Sequence, residues 1–323
     1  MKLAIQIPVY NAERFLRECL DSAIAEGQAL QDEDVGTEVS VFCCDDGSND
    51  GSLSILREYA SHYGNVRYVS QPNAGVVSAR NRLMDGLPAD IDAFAFLDAD
   101  DLIRPGMYRK LAEALERTNA DVAETLWKGP ETVLDDMSAF LLRRSAPGRW
   151  INVINKIYRR SAVGGIRFRE GLRFEEDFFF NFEVHQAIRR KVLVPGNYYY
   201  YRPNPASATS VLNLRNYFDS ASRRVRLSCE EFLKAGRIPQ SLESDFRAEL
   251  VKDAYRMCLR KNLKKNADAA LRRELYFEAG EFFASLETDY GLGADGLNAL
   301  QRLLRRCCLT RRYGAARVIA ALT

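Results

Sequence analysis

Apolar and polar positions come in alternating blocks along the first 120 residues. Leu3–Ile7, Val39–Cys44, Val66–Val69 and Ala93–Leu97 read as short strands. Each stops at a polar loop and is followed by apolar residues at helical spacing. The first helix carries Phe15, Leu16, Cys19, Leu20, Ala23 and Ile24 on one face, with Asn11 as its expected N-cap, and gives way to a polar loop from Gly27 to Thr37. The second starts near Ser52 with Leu53, Leu56, Tyr59 and Ala60 facing inward. The third has Ala79-Arg80-Asn81 near its start, and the fourth takes Pro105 as its first residue. Strand, loop and helix repeated in this way predict a parallel α/β sheet with helices on its faces. Further strands are expected at Asp121–Trp127 and Tyr198–Arg202, with a short helix near Met137–Arg143.

Ligands of such sheets bind beyond the carboxyl ends of the strands. Here those ends carry Tyr10-Asn11, Asp45-Asp46, Asn73–Gly75 and Asp98–Asp100, four polar loops on one rim. The fourth strand runs straight into Asp98-Ala99-Asp100-Asp101, three carboxylates within four positions. Their mutual repulsion is relieved by a divalent cation, and hard oxygen ligands suit Mg²⁺ or Mn²⁺, which hold phosphate oxygens in turn. A solvated acidic turn is the plainer alternative. Asp46, Ser48, Asp50 and Gly51 fall at positions one, three, five and six of a calcium loop, but position twelve is Arg57 where a bidentate Glu is required. Pro8-Val9-Tyr10-Asn11-Ala12-Glu13 has no glycine, so the dinucleotide fingerprint is absent, as is a Walker A loop. Phosphates must then be held by a cation and side chains.

Composition narrows the class without naming it. The chain has 323 residues, 47% hydrophobic and 28% charged, with net charge +2, and nothing in it points to nucleic acid as a partner. Seven cysteines include no CxxC pair, and only His62 and His185 could join them, so a zinc site is not expected; reduced thiols suit a cytoplasmic protein. Neither a signal peptide nor a membrane-spanning run is expected.

Taken in order, Pro8-Val9-Tyr10-Asn11, Asp45-Asp46-Gly47-Ser48-Asn49-Asp50-Gly51-Ser52, Asn73-Ala74-Gly75 with Ala79-Arg80-Asn81, and Asp98-Ala99-Asp100-Asp101 resemble the successive motifs of family 2 glycosyltransferases, inverting enzymes of the GT-A fold. The resemblance spans Lys2 to Thr209. It implies a GT-A catalytic domain over residues 1–210 and a helical C-terminal domain over 211–323. It also implies transfer of a sugar from a nucleotide-sugar, expected to be UDP-linked, to a glycan or lipid-linked acceptor in polysaccharide biosynthesis. By the same resemblance Pro8, Val9 and Tyr10 line the base pocket, and Asp46 with Asp45 accepts from the base. Arg80 sits near the nucleotide, Asp98 reaches the ribose or the metal shell, and Asp100 ligates Mn²⁺ or Mg²⁺. A non-catalytic nucleotide-sugar-binding or scaffolding protein on the same fold is the alternative.

Inversion needs a base opposite the departing diphosphate. Asn155–Arg160 leads to Phe168–Phe180, which resembles the family segment where a Lys-rich stretch precedes an acidic pair at a helix start. Asp177 is the expected base and Glu176 the runner-up, Glu175 being the third acid in the run; the plainer reading is that all three only favour a helix N-terminus. His185, on the following helix, reads as a polar helical position. Tyr198–Tyr201 could stack on sugar rings or alternate in a sheet.

After about Val211 helical periodicity dominates, over Leu214–Ala235, Leu242–Leu263, Ala267–Leu286 and Leu297–Leu322. The last stretch carries Arg302, Arg305, Arg306, Arg311, Arg312 and Arg317 among apolar residues, with no acid after Asp295. Such an end suits an anionic inner-membrane face, and equally a helix packed on the domain or on a second copy in a homo-oligomer.

Overall fold

A computed structural model describes residues 1–32, 36–126, 129–135, 152–172, 175–204, 214–260, 269–294, 297–313 and 315–316. The chain divides into two compact units, Met1–Asn204 and Pro205–Thr323.

The first unit is built on a mixed sheet. Its strands are β1 (Lys2–Val9), β2 (Glu38–Asp45), β3 (Val66–Ser70), β4 (Ala93–Phe96), β6 (Val122–Leu126), β7 (Thr132–Leu134), β8 (Lys156–Arg159) and β9 (Lys191–Pro195), in the spatial order β3-β2-β1-β4-β8-β6-β9-β7. β1 to β4 are mutually parallel; β8 runs antiparallel to both β4 and β6, and β7 antiparallel to β9. A separate ribbon pairs β5 (Leu102–Ile103) with β10 (Tyr199–Tyr200). The helices are α1 (Glu13–Asp32), α2 (Ser52–His62), α3 (Val76–Asp85), α4 (Met107–Thr118), α5 (Arg160–Val163) and α6 (Glu176–Ala187).

Strand alternation sorts the core into two layers. Leu3, Ile5, Ile7, Val41, Cys43, Ala93 and Ala95 pack with Leu16 and Leu20 of α1, Ile55 and Leu56 of α2, and Leu111 and Leu115 of α4. Ala4, Phe42, Cys44, Phe94 and Phe96 turn the other way, to Val77 and Leu83 of α3 and Phe180 and Val184 of α6. Both faces of β1, β2 and β4 are covered, which is why they read as continuous apolar runs, while β3 at the sheet edge is largely exposed.

Several local expectations change. Asn11 does not cap α1: its φ is 48°, and its Oδ1 accepts from Asn49 N at 2.8 Å. The free amides of α1 are met across the gap, Ala12 N by Ser52 Oγ at 2.9 Å and Glu13 N by Asp50 Oδ2 at 3.0 Å, while Glu13 Oε2 returns an acceptor to Gly51 N. The first helix also runs through Gly27 to Asp32, because the missing side chain lets it approach Val39 and Leu30 is buried. α4 begins at Met107, after Gly106 in the left-handed region (φ 85°), and not at Pro105. Its N-terminus is capped from α1, Glu26 accepting from Gly106 N at 2.7 Å and Arg109 N at 3.1 Å. In α2 the inward face is Ile55, Leu56 and Tyr59, with Leu53 and Ala60 half-buried. The helix expected near Met137–Arg143 lies outside the described residues.

The second unit is helical: α7 (Leu214–Ser228) and α8 (Gln240–Ala254), each followed by a wider turn at Cys229–Lys234 and Tyr255–Arg260, then α9 (Ala269–Tyr290) and α10 (Ala299–Leu309). On α10, Leu304, Cys307 and Cys308 are buried and Arg305 pairs with Glu287 of α9; Arg311, just past the helix, pairs with Glu281 of α9. Leu303 and Leu309 are exposed, as are Arg302, Arg306 and Arg312. Part of the basic amphipathic stretch is therefore used within this unit; Arg317 lies outside the described residues. Among the described residues no helix is long and apolar enough to cross a membrane.

Candidate active site

The parallel strands bring their loops to one edge of the sheet. β1 and β2 end level, Val9 opposite Asp45, and the amides beyond them continue the ladder, Asp46 N donating to Val9 O and Leu97 N to Gln6 O. Pro8 is half-buried, Val9 buried and Tyr10 exposed at this rim.

Asp45 and Asp46 are both buried and have structural work to do. Asp45 accepts from Ser70 Oγ at 2.8 Å and Ser48 N at 3.2 Å. Asp46 accepts from Gln71 Nε2 (2.7 Å), Ala74 N (2.9 Å) and Gly75 N (2.7 Å), so it shapes the loop from β3 to α3. Three donors on a carboxylate with about four lone-pair sites leave room for one more. Gly47 completes this junction. Its φ is +72°, and a Cβ there would lie 2.7 Å from Asn73 N.

The acidic turn after β4 spreads its three carboxylates over four partners. Asp98 meets Arg80, Nη2 to Oδ1 at 3.1 Å; Asp100 accepts from Asn204 Nδ2 at 2.9 Å; Asp101 accepts from Tyr199 Oη at 2.7 Å and Arg202 N at 2.9 Å. Burial pushes the Asp101 carboxyl up to about 7. It also raises Asp98, with Asp177 and Asp100 adding to it and Arg80 opposing. Tyr199 thus points inward to the turn, while Tyr200 and Tyr201 are exposed.

Arg80 is the hub. Only 4% exposed, its guanidinium donates to Asp177 Oδ1 at 2.6 Å and to Asp98, stands 3.5 Å from Glu176 Oε1, and lies over the Phe168 ring at 5.3 Å. Asn81, the next residue, fixes that ring's backbone reciprocally, Nδ2 to Phe168 O and Phe168 N to Oδ1, each 2.8 Å. One planar cation therefore ties a carboxylate of the β4 turn to a carboxylate of the first turn of α6. Asp177 Oδ2 also accepts from Val153 N at 3.2 Å. Burial and then the Asp177 charge push the Glu176 carboxyl up to about 8 against the pull of Arg80.

Behind α6 lies a charged group the sequence reading did not single out. Glu124 of β6 stands between Lys191 of β9, in contact with its carboxylate, and Lys156 of β8, at 3.8 Å. His185, expected as a polar helical position, is buried here. Its Nδ1 donates to Asn181 O at 2.5 Å and its Nε2 takes Lys191 Nζ at 3.0 Å, so burial and the Lys191 charge keep the ring neutral. The readable signal was charge at inward positions of otherwise apolar strands.

Of the predicted residues, Arg80, Asp98, Glu176 and Asp177 form one connected cluster, and Asp100 joins through its turn. Asp45 and Asp46 stand in a second group with Gln71–Gly75, with Pro8, Val9 and Tyr10 beside them on the rim. Among the described residues no three His, Cys, Asp or Glu side chains converge as a ready metal cage.

A mixed α/β sheet that delivers acidic loops to one rim, with a carboxylate-bearing helix start held beside them, defines a GT-A glycosyltransferase fold. The family model "Glycosyl transferase family 2" matches residues 4–191, and the chain belongs to that family. It is 27% identical to the uncharacterized glycosyltransferase YibD of Escherichia coli (strain K12) over 308 residues, covering 86% of this chain and 83% of that one. To the uncharacterized glycosyltransferase EpsJ of Bacillus subtilis (strain 168) it is 28% identical over 234 residues, covering 65% of this chain and 63% of that protein's length. Among solved structures, S. aureus TarS 1-349 in complex with UDP-GlcNAc superposes with a TM-score of 0.69 at 19% identity, over 99% of this chain and 91% of that one. The mannosyltransferase PcManGT from Pyrobaculum calidifontis, in complex with GDP-Man and Mn²⁺, gives 0.55 at 17% identity, over 99% and 86%.

Proposed function

We propose that the chain is a metal-dependent, inverting glycosyltransferase that moves a sugar from a UDP-sugar to a hydroxyl of a glycan or lipid-linked saccharide. The observation that carries the reading is the Arg80 bridge, which holds Asp98 of the β4 turn and Asp177 of α6 on one guanidinium. The fold neighbours in complex with UDP, UDP-GlcNAc and GDP-Man with Mn²⁺ support a nucleotide-sugar donor.

The residues fit a divalent cation. Asp98 and Asp100 leave one turn two residues apart, and Arg80 does not offset what burial, with the Asp177 and Asp100 charges, adds to the proton affinity of Asp98. Mg²⁺ or Mn²⁺ is commonly held by one or two carboxylates with phosphate oxygens and water completing the shell, so a three-residue cage is not required. When bound, the cation neutralises charge on the departing diphosphate.

The remaining roles belong to the chain. Tyr10 offers an exposed ring at the rim for stacking on the base, with Pro8 and Val9 shaping the wall. Asp46 has one acceptor position left for a base N–H, and Asp45 holds the loop beside it. Arg80 aligns Asp98 with Asp177. Asp177, fixed by Arg80 and Val153 N, takes the acceptor hydroxyl's proton as its oxygen attacks the anomeric carbon. Glu176, uncharged near neutrality, adds no second negative charge next to it.

The test is UDP release from a panel of UDP-sugars with saccharide acceptors, comparing wild type with Asp177→Asn. We expect turnover to fall by about 10²- to 10⁴-fold with donor binding intact. Undiminished turnover would remove Asp177 as base. Nucleotide-sugar binding with no turnover in wild type would favour the non-catalytic alternative.

A further inference from the structure

We propose that Lys156 is a positioning residue for the transfer step, acting on Asp177 through a single peptide group; this rests on the reading of Asp177 as the base. The Nζ of Lys156 donates to the carbonyl oxygen of Asn152. The N–H on the other side of that same peptide plane, Val153 N, donates to Asp177 Oδ2 at 3.2 Å. In a trans peptide the C=O and N–H point in opposite directions, so fixing the oxygen fixes where the hydrogen points. A cation at the carbonyl also polarises the unit and strengthens its N–H as a donor.

The ammonium is itself anchored. Lys156 is fully buried, and its Nζ also donates to Asn155 Oδ1 at 2.7 Å and faces Glu124 Oε2 at 3.8 Å. Asn155 is tied to β6, with Thr125 N donating to its carbonyl at 3.0 Å and its Nδ2 donating to Thr125 O at 3.3 Å. Burial works against the Glu124 charge, but Lys156 and Lys191 outweigh it and hold the carboxyl down to about 2. From the other flank Tyr158 Oη donates to Asn181 Oδ1 at 2.8 Å, and Asn181 Nδ2 to the Asp177 carbonyl at 3.0 Å. β8 thus reaches Asp177 twice: Lys156, through the Asn152–Val153 peptide, sets the carboxylate, and Tyr158, through Asn181, sets the backbone.

A core that needed only packing would place an apolar side chain at position 156, since burying an ammonium is costly unless it is well paired. Orienting one peptide gives the charge a use that packing does not.

The experiment is a double-mutant cycle on the full chain, with Lys156→Met, Asp177→Asn and their combination. The readouts are kcat for UDP release from the UDP-sugar that wild type turns over, and UDP affinity by calorimetry. Lys156→Met should lower kcat about ten- to hundredfold, the worth of a charge-assisted hydrogen bond, with UDP affinity within about twofold of wild type. On the Asp177→Asn background it should add little, because the group it positions is already gone. If Lys156→Met fails to fold, Lys156→Met/Glu124→Gln keeps the buried net charge and serves in its place. Unchanged kcat, losses that multiply in the combined variant, or UDP affinity falling in step with kcat would each overturn the proposal. Failure of the base reading looks different: Asp177→Asn alone would then keep wild-type kcat.

Discussion

Glu176 gives the sharpest quantitative prediction, because its environment favours a proton. Its side chain is 12% exposed, its Oε1 stands 3.5 Å from Arg80 Nη1, and its Oε2 is buried with no hydrogen-bond partner among the described residues. Burial first, and the Asp177 charge second, raise its carboxyl from 4.5 to about 8. The folded chain therefore binds this proton more tightly than the unfolded chain. The stabilisation is complete below about pH 4.5 and is lost as pH rises toward 8. Each pH unit in that window is worth about 1.4 kcal/mol, so moving from pH 5 to pH 7 should cost up to about 3 kcal/mol. Glu176→Gln mimics the protonated group and carries no such dependence. Urea unfolding of the full chain followed by circular dichroism at each pH gives the stability difference between the two proteins. The stability of Glu176→Gln relative to wild type should grow by up to about 3 kcal/mol between pH 5 and pH 7. Parallel curves, or wild type gaining on the variant as pH rises, would refute the reasoning.

Two other substitutions test the frame around the site. Gln6 is fully buried in β1 with neither amide atom hydrogen-bonded among the described residues, so Gln6→Met should stabilise the first unit by about 1–2 kcal/mol in the same assay; a loss of stability would mean that the amide has an internal partner. Gly47→Ala must adopt a positive φ and push on Asn73 N, and should cost about 2 kcal/mol while weakening UDP binding through the displaced Gln71–Gly75 loop. Wild-type stability and affinity in that variant would show that the junction is slack.

The sheet and its rim were legible in the sequence because burial on both faces writes continuous apolar runs, and function writes polar residues where those runs stop. The strand ends expected at Ile7, Cys44 and Val69 lie one or two residues short of the observed ends at Val9, Asp45 and Ser70. Helix starts were harder. α1 and α4 take their caps from Asp50, Ser52 and Glu26, which are distant in sequence, so a local search found Asn11 and Pro105 instead. The site divides in the same way. Asp98, Asp100, Arg80, Glu176 and Asp177 sit in readable motifs, but the connection of Asp98, Glu176 and Asp177 through the Arg80 guanidinium depends on α3 and α6 meeting over β4. Glu124, Lys156, Lys191 and His185 left only a faint signal, a charge or an imidazole at an inward-facing position, and only the strand order shows that they meet.

The measurement that most directly tests the central claim is calorimetric titration with UDP, with and without Mn²⁺, on wild type and Asp100→Ala. The account predicts metal-dependent UDP binding in wild type that is lost, or no longer responds to the metal, in the variant. Equal UDP binding with and without Mn²⁺, unchanged by Asp100→Ala, would contradict it.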